Sequence, residues 1–262
     1  MIIDFHTHAF PDALAEKTIP VLSKNSGLAP AGNGKIFGTL LSMQNHGIDY
    51  SVICNIATNA KQTANVNRFA ISLLEIPGII PFGSVHPDSD YIEQLDILKD
   101  AGIRGIKMHP DYQQYFIDDT KVIPIYEEIL KRDFVLIFHT GKDYGVGEPT
   151  RATPARCKAL MPMFRGEKVV LAHMGGFAIW DEVLELLVDE DVYFDTAALV
   201  GVMEEPMYKE LLRRHNQDKV LFATDFPWEN PKDSLELLKR QVTDETQLAK
   251  ILGENAKRLL NL

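Results

Sequence analysis

Short runs of β-branched and other apolar residues alternate along the chain with longer amphipathic stretches. Eight of these runs have the length of a strand, and each leads into a polar residue, most often histidine. They are residues 2–7, 50–55, 79–85, 103–108, 134–139, 168–173, 191–195 and 219–224. Successive runs start roughly 30 residues apart, which is the size of one strand followed by one helix.

The stretches between these runs carry apolar residues at helical spacing. The clearest is 177–188, whose apolar face consists of Phe177, Trp180, Val183, Leu184 and Leu187. The other predicted helices are 89–101, 121–131, 152–164, 204–214, 233–241 and 253–260.

This alternation of strands and helices is typical of a parallel sheet. Eight strands favour a closed barrel over a doubly wound sheet, which usually has a glycine-rich phosphate turn after its first strand. Here the first strand ends in His6-Thr7-His8 instead. We therefore predict an α/β fold, a single (β/α)₈ TIM-barrel domain over residues 1–262, with its active site at the C-terminal ends of the strands.

Charge and cysteine content narrow the range of partners. The 262 residues carry a formal net charge of −10, which disfavours nucleic acid or an anionic membrane as a partner. No apolar run is long enough to predict a transmembrane helix, and the N-terminus lacks the basic segment of a signal peptide. Two cysteines, Cys54 and Cys157, are too few for a disulfide framework, and Cys54 is expected in the core. These features predict a cytoplasmic protein with a small-molecule substrate, and a homodimer is a common assembly for such proteins.

Histidines mark the ends of the predicted strands. Six of the eight histidines stand there, namely His6, His8, His86, His109, His139 and His173. The other two, His46 and His215, follow helical stretches and are expected at the surface. Packing alone does not explain titratable groups gathered from five strands onto one rim, so these positions predict a functional site.

Strand alternation predicts which residues share the inward face of the barrel. The expected inward sets are Asp4, His6 and His8; Gly105, Lys107 and His109; Val135, Ile137 and His139; Val169, Leu171 and His173; and Leu221, Ala223 and Asp225. Small and aliphatic residues would then fill the lower barrel, with imidazoles and carboxylates as its top layer.

The two imidazoles of His6 and His8 suit a borderline divalent ion such as Zn²⁺. A third imidazole, His139, and a carboxylate, Asp225, would complete a site for one ion with an open position for water, whose pKa the ion can lower to ~7. A histidine pair by itself is a weak signal. The competing interpretations are a strand-end cap for His139 and a helix N-cap for Asp225.

Other residues at the rim leave several interpretations open. Lys107 could hold a substrate carboxylate, could be carbamylated and bridge a second ion, or could pair with Asp4. His109 is predicted to face the substrate, with a loop role before Pro110 as the alternative. His173 is a candidate catalytic base, or else a strand-end cap.

The remaining pocket candidates rest on position alone. Arg151 and Trp228 are predicted to bind substrate, and the further candidates are Lys142 and Tyr112. Asp4 is expected below the metal as a buried hydrogen-bond acceptor for its ligands. Asp195 could support a metal ligand or simply end its strand, with no preference between the two, and His86, before Pro87, is equally open between a substrate-facing and a loop position. Long segments at 9–38, 110–118 and 141–151 are expected to form lid loops.

Taken together, the motifs resemble the amidohydrolase superfamily of metal-dependent barrels, in the branch that includes aminocarboxymuconate-semialdehyde decarboxylase. They are IDFHTHAFP (3–11), GIKMHP (105–110), FHTG (138–141), LAHMGG (171–176), ATDFPW (223–228) and ILGENAKRLL (251–260). The resemblance implies a distorted barrel and metal ligation by His6, His8, His139 and Asp225. It also implies that His173 is the catalytic histidine and that Asp225 handles the proton of the attacking water.

Related barrels set limits on this resemblance. TatD-type nucleases carry a bridging glutamate on the fourth strand, and residues 103–109 contain none. Binuclear relatives use a carbamylated lysine there, so a second ion depends on Lys107, although GxKxHP is typical of the mononuclear branch. The chain is shorter than many decarboxylases of this branch.

The expected function is that of a metal-dependent hydrolase, which activates water on one ion to attack a small, anionic amide, lactone or ester. The alternative is a decarboxylase or hydratase acting on a small unsaturated or aromatic carboxylic acid. A third possibility, a metal-binding barrel without catalysis, requires a broken ligand set, and no predicted ligand is missing.

Overall fold

Eight parallel strands form the centre of the protein in a computed structural model that describes residues 1–262. Each lies within one of the predicted runs. Their bounds are β1 Ile3–Thr7, β2 Tyr50–Cys54, β3 Ile79–Phe82, β4 Gly105–Met108, β5 Val135–Phe138, β6 Val169–Leu171, β7 Tyr193–Asp195 and β8 Val220–Leu221. Strands buried on both faces are continuous apolar runs, which is why the sequence pattern locates them.

The strands pair in two ladders, β1-β2-β3 and β4-β5-β6-β7-β8. Between β3 and β4, Gly83 donates its N–H to the Gly105 carbonyl (2.9 Å) and accepts from the Lys107 N–H (2.8 Å). Between β8 and β1, the Phe5 N–H donates to the Phe222 carbonyl (2.9 Å). These contacts close the ladders into a barrel that is distorted at its two seams, and the predicted TIM-barrel fold is confirmed.

Helices cover the outside of the barrel. They are α1 Asp12–Ser26, α2 Ile36–His46, α3 Thr63–Ser72, α4 Tyr91–Asp100, α5 Pro110–Gln113, α6 Ile123–Lys131, α7 Pro154–Ala159, α8 Met161–Phe164, α9 Trp180–Leu186, α10 Glu205–Arg214, α11 Pro231–Gln241, α12 Glu245–Ala249 and α13 Asn255–Leu260. A π-helical turn, Lys250–Glu254, joins the last two, and short 3₁₀ turns lie at Ala60–Gln62 and Gln217–Lys219.

The prediction that 9–38 is a lid loop is wrong, because most of it is helix α1 and the start of α2. Helix α1 buries only Ala15 and Ile19 and contains Pro20. It therefore lacks the continuous apolar stripe that identifies a helix in a sequence. The segment still lies over the active-site rim, since Leu22 and Leu28 line the cavity described below.

Two apolar layers lie on either side of the strands. One fills the barrel and includes Val135, Ile137, Leu221 and Ala223, as strand alternation predicts. Its lower end is closed by α13. The other layer lies between the strands and the helices. The predicted inward face of β6 is wrong, because Val169 and Leu171 belong to the outer layer and Val170 to the interior.

The predicted alternation also fails on β1. Asp4 pairs with Ser51, but Thr7 pairs with Ile53, so β1 holds one extra residue between these pairs. The bulge places Phe5 in the barrel interior and still lets His6 reach the rim. Asp4 does not support a metal ligand's imidazole. It accepts hydrogen bonds from the Thr224 hydroxyl (2.6 Å) and N–H (3.0 Å).

His215 is buried, so the predicted surface position is wrong for this histidine. Its two nitrogens each lie 3.0 Å from a backbone carbonyl, those of Val188 and Val192, and its ring stacks on Phe194. Cys54 and Cys157 are both buried and free, as expected for Cys54. In the whole chain, no helix combines the length and apolar character needed to cross a membrane.

Candidate active site

A cavity of about 130 Å³ opens at the C-terminal ends of the strands. Most of the predicted site residues line it, namely His6, His8, Lys107, His109, His139, His173, Asp225 and Trp228, together with Tyr112 and Lys142. Arg151 and His86 do not line it. The Arg151 guanidinium and N–H instead lie against the buried Asp111 carboxylate (3.6 and 3.0 Å).

His6, His8 and Asp225 form a compact group of possible metal ligands. Asp225 Oδ1 lies 3.0 Å from His8 Nε2 and 3.5 Å from His6 Nε2. Burial alone would raise the pKa of Asp225, but a hydrogen bond from His8 and the positive charge of His6 and His8 when they are protonated lower it to about 2. The carboxylate is therefore ionised at neutral pH.

The outer nitrogens of both imidazoles are already engaged. His6 Nδ1 donates to Asp195 Oδ2 and His8 Nδ1 donates to the Cys54 carbonyl, each at 2.9 Å. When each ring is neutral, these bonds leave its Nε2 unprotonated, with a lone pair toward the buried Asp225 Oδ1. Two imidazole nitrogens and one carboxylate oxygen that converge on one point are preferred ligands of a divalent metal ion, so this donor set fits such an ion.

His139, the fourth predicted ligand, is not brought into this group. Its Nδ1 lies 3.0 Å from His173 Nε2, and its Nε2 lies 3.2 Å from the Lys142 carbonyl. His173 Nδ1 in turn lies 3.0 Å from the Ala197 carbonyl. The two imidazoles can make three hydrogen bonds, one to each other and one to the carbonyl at either end. All three bonds together require three ring protons, one more than two neutral imidazoles carry. Burial lowers the pKa of His139 well below its ordinary value, so a third proton taken up by the pair is readily given away.

The backbone explains how His173 reaches this position. It has φ +59°, and Met174 follows with φ +50°, so the chain leaves β6 in left-handed conformation. This turn replaces the simple strand alternation that the sequence suggested. The His173 N–H donates to Asp195 Oδ1 (2.7 Å), and this hydrogen bond fixes the turn.

Asp195 has a role that the sequence left open. It is fully buried at the end of β7, where one oxygen accepts from His6 Nδ1 and the other from the N–H groups of His173 and Ala197. It therefore sets the orientation of one possible ligand and of the catalytic candidate at once.

We expect Asp195→Asn to weaken metal binding by about 10- to 100-fold, because an amide oxygen is a poorer acceptor for the His6 N–H. The dissociation constant of the metal is to be measured with a competing chelator. Asp189→Asn, at an exposed position, is the matched control and should bind metal as the wild type does. Equal affinity of both variants would remove Asp195 from the site.

His109 and Asp143 form a second polar pair in the cavity wall. His109 Nδ1 accepts the Tyr112 N–H (3.3 Å), so its Nε2 carries the proton and faces Asp143 Oδ2 at 3.3 Å. Burial lowers the pKa of His109 to about 4, which keeps the ring neutral. The ring stacks on His139 at 4.1 Å. With both nitrogens engaged, His109 reaches substrate through its ring edge only. No sequence signal identified Asp143.

Lys107 does not pair with Asp4, one of the three roles considered for it. Its Nζ lies 3.0 Å from His6 Nε2, and only 1% of the residue is exposed. Burial lowers the pKa of Lys107.

Glu229 follows the cavity residue Trp228 in the chain and was not predicted. It accepts a hydrogen bond from the Val200 N–H (2.9 Å) and another from the Ser234 hydroxyl. It thereby ties the segment after β7 to the start of α11. Burial raises the pKa of Glu229 from 4.5 to about 8.

This shift predicts a pH dependence of stability. A carboxyl group whose pKa is higher in the folded state makes its full contribution to the free energy of unfolding below pH 4.5. That contribution is lost as the pH rises through about 8. We expect the free energy of unfolding to fall over this range, and Glu229→Gln to flatten the decline. Urea unfolding at pH 5 to 9 measures both, and parallel curves for the two proteins would refute the assignment.

Comparisons with known proteins agree with this fold. A TIM-barrel protein of unknown function from Bordetella bronchiseptica superposes with a TM-score of 0.80 at 20% identity, over 99% of this chain and 98% of that one. 5-Carboxyvanillate decarboxylase from Sphingomonas paucimobilis superposes with a TM-score of 0.73 at 15% identity, over 100% of this chain and 99% of that one. A dihydroxybenzoic acid decarboxylase from a Polaromonas species, solved with bound manganese and 2-nitroresorcinol, has a TM-score of 0.71 at 16% identity. The match covers 100% of this chain and 97% of that one. A search of curated proteins finds no significant match.

At such low identities the solved structures establish the barrel and not the reaction. The family is established separately, because the sequence model described as Amidohydrolase matches residues 3–262. The chain belongs to the amidohydrolase family, as its motifs suggested.

Proposed function

We propose that this protein is a metal-dependent lyase that removes CO₂ from a small aromatic or unsaturated carboxylic acid. One observation carries the proposal. A single cavity combines the His6–His8–Asp225 donor group, two lysines, a hydrogen-bonded histidine pair and aromatic walls. This reverses the order of the two functions expected from the sequence, in which hydrolysis came first.

The metal would be held by His6, His8 and Asp225, with His139 as a ligand only if its ring turns away from His173. A divalent ion there would act as a Lewis acid toward oxygen atoms of the substrate. Zinc is the proposed ion on the basis of the nitrogen ligands. The manganese in the Polaromonas enzyme makes that ion the second choice.

The walls of the cavity suit a flat, anionic substrate. Phe10, Tyr112, Phe177 and Trp228 supply aromatic surface, and Lys107 and Lys142 supply positive charge. Aromatic side chains favour planar rings, and a buried ammonium group favours a carboxylate.

Decarboxylation without an oxidant needs one proton. The carbon that bears the carboxylate takes up a proton, the bond to the carboxyl carbon then breaks, and its electron pair returns to the ring or double bond as CO₂ leaves. The His139–His173 pair is placed to supply that proton and to recover one from solvent. Asp195 holds the turn that positions it.

Decarboxylases share this fold, and so does a probable 2-pyrone-4,6-dicarboxylic acid hydrolase, so the preference for a lyase comes from the aromatic walls and the two lysines of the cavity. The donor group alone serves either reaction. Binding of small molecules only, a cytoplasmic location and a homodimer remain predictions.

The test is to incubate the zinc- or manganese-loaded protein with a panel of hydroxylated benzoic acids and small lactones. We expect release of CO₂ from at least one aromatic acid and no ring opening of lactones. Lactone hydrolysis without CO₂ release would favour the hydrolase. The His6→Ala, His8→Ala double variant controls for contaminating activity.

A further inference from the structure

Lys107 makes its contact at the nitrogen that a metal needs. His6 Nδ1 donates to Asp195, so His6 Nε2 is an acceptor with a single lone pair in the plane of the ring. Lys107 Nζ lies 3.0 Å from this Nε2 and donates to it. The same Nε2 faces Asp225 Oδ1 and belongs to the donor group with His8.

One lone pair cannot accept a proton from an amine and bind a metal ion at the same time. A dication and an ammonium group this close would also repel each other strongly in a buried site. We propose that Lys107 and the metal ion compete for His6, so that metal binding displaces the Lys107 amine into the cavity, where it can hold a substrate carboxylate. This inference rests on the proposed metal-dependent function.

The surroundings of Lys107 leave it one direction in which to move. It is almost completely buried on β4, and its side chain has no other hydrogen-bond partner than His6. The neighbouring β-strands close the sides of the barrel, and the apolar layer that includes Phe82 and Ile137 fills the space below. Lys107 already lines the cavity, so a displaced amine lies where substrate enters.

Competition of this kind links two binding events. A ligand that attracts Lys107 away from His6 frees the lone pair for metal, and metal that displaces Lys107 frees the amine for an anion. Metal and carboxylate should therefore bind with positive coupling, which is reciprocal.

The experiment measures the dissociation constant of Mn²⁺ by calorimetry for the wild type, Lys107→Met and Lys142→Met. Lys142 lines the same cavity but does not contact His6, so it controls for loss of positive charge alone. We expect at least tenfold tighter binding in Lys107→Met and a change of less than twofold in Lys142→Met. Lys107→Gln keeps a hydrogen-bond donor without the charge, so its dissociation constant for Mn²⁺ should lie between those of the other two variants. It replaces Lys107→Met in the experiment if the methionine variant does not fold.

The second readout is the effect of saturating benzoate. It should tighten Mn²⁺ binding by the wild type severalfold and by Lys107→Met much less. Equal Mn²⁺ affinity in the wild type and the Lys107 variants would overturn the competition while leaving the proposed function in place. An equal effect of benzoate on Mn²⁺ binding by the wild type and by Lys107→Met would overturn the proposal that the displaced amine holds the substrate carboxylate. Absence of Mn²⁺ and Zn²⁺ binding by every variant would remove the metal-dependent function itself.

Discussion

His173→Asn should leave metal binding unchanged and lower kcat for decarboxylation by about 10²- to 10⁴-fold, the usual range for loss of a general acid or base. His173 lies outside the donor group but holds the proton-sharing contact with His139. Asparagine can keep a hydrogen bond to the Ala197 carbonyl, so the turn after β6 should survive, yet it cannot carry a proton between two atoms.

Turnover is to be measured alongside metal content for this variant. His46→Asn is the matched control, since His46 lies on α2 away from the cavity. Wild-type turnover by His173→Asn would exclude it as the proton donor. Loss of metal instead would show that His173 is a ligand.

The second large effect is expected for the His6→Ala, His8→Ala double variant. Removal of two nitrogen ligands leaves Asp225 as the only member of the donor group, and one carboxylate does not retain a divalent ion against dialysis. The wild type should keep about one equivalent of metal by plasma emission spectrometry and the variant none. Activity should fall to background.

Far-ultraviolet circular dichroism checks that the double variant is folded. The check is needed because the double variant removes the hydrogen bonds that His6 makes with buried Asp195 and Lys107 and that His8 makes with the Cys54 carbonyl. A folded variant that retains a full equivalent of metal would place the ion elsewhere, and the group His109, His139 and Asp143 would then be the first alternative.

The strands and the rim could be predicted from sequence because both depend on local patterns. A strand buried on both faces is a continuous apolar run, and the residue after it lies at the rim wherever the backbone stays extended. That rule located His109 and His139 correctly. It failed on β1, where a bulge adds a residue, and on β6, where His173 enters the cavity through left-handed backbone.

The supporting residues could not be predicted, because their partners are distant in the chain. Asp195 receives its hydrogen bond from His6, 189 residues earlier, and nothing near Asp195 indicates this. Asp143 and Glu229 are likewise defined by contacts across loops. Helix α1 was missed for the opposite reason, since it packs so lightly that its apolar pattern is faint.

The most direct test of the account is a crystal structure of the metal-loaded protein with anomalous data collected at the edge of the bound metal. One peak should lie between His6 Nε2, His8 Nε2 and Asp225 Oδ1, at about 2.0–2.2 Å from each, with the Lys107 amine withdrawn from His6. A protein shown by metal analysis to be loaded, but with its peak at another position, would contradict the site on which the proposed chemistry depends.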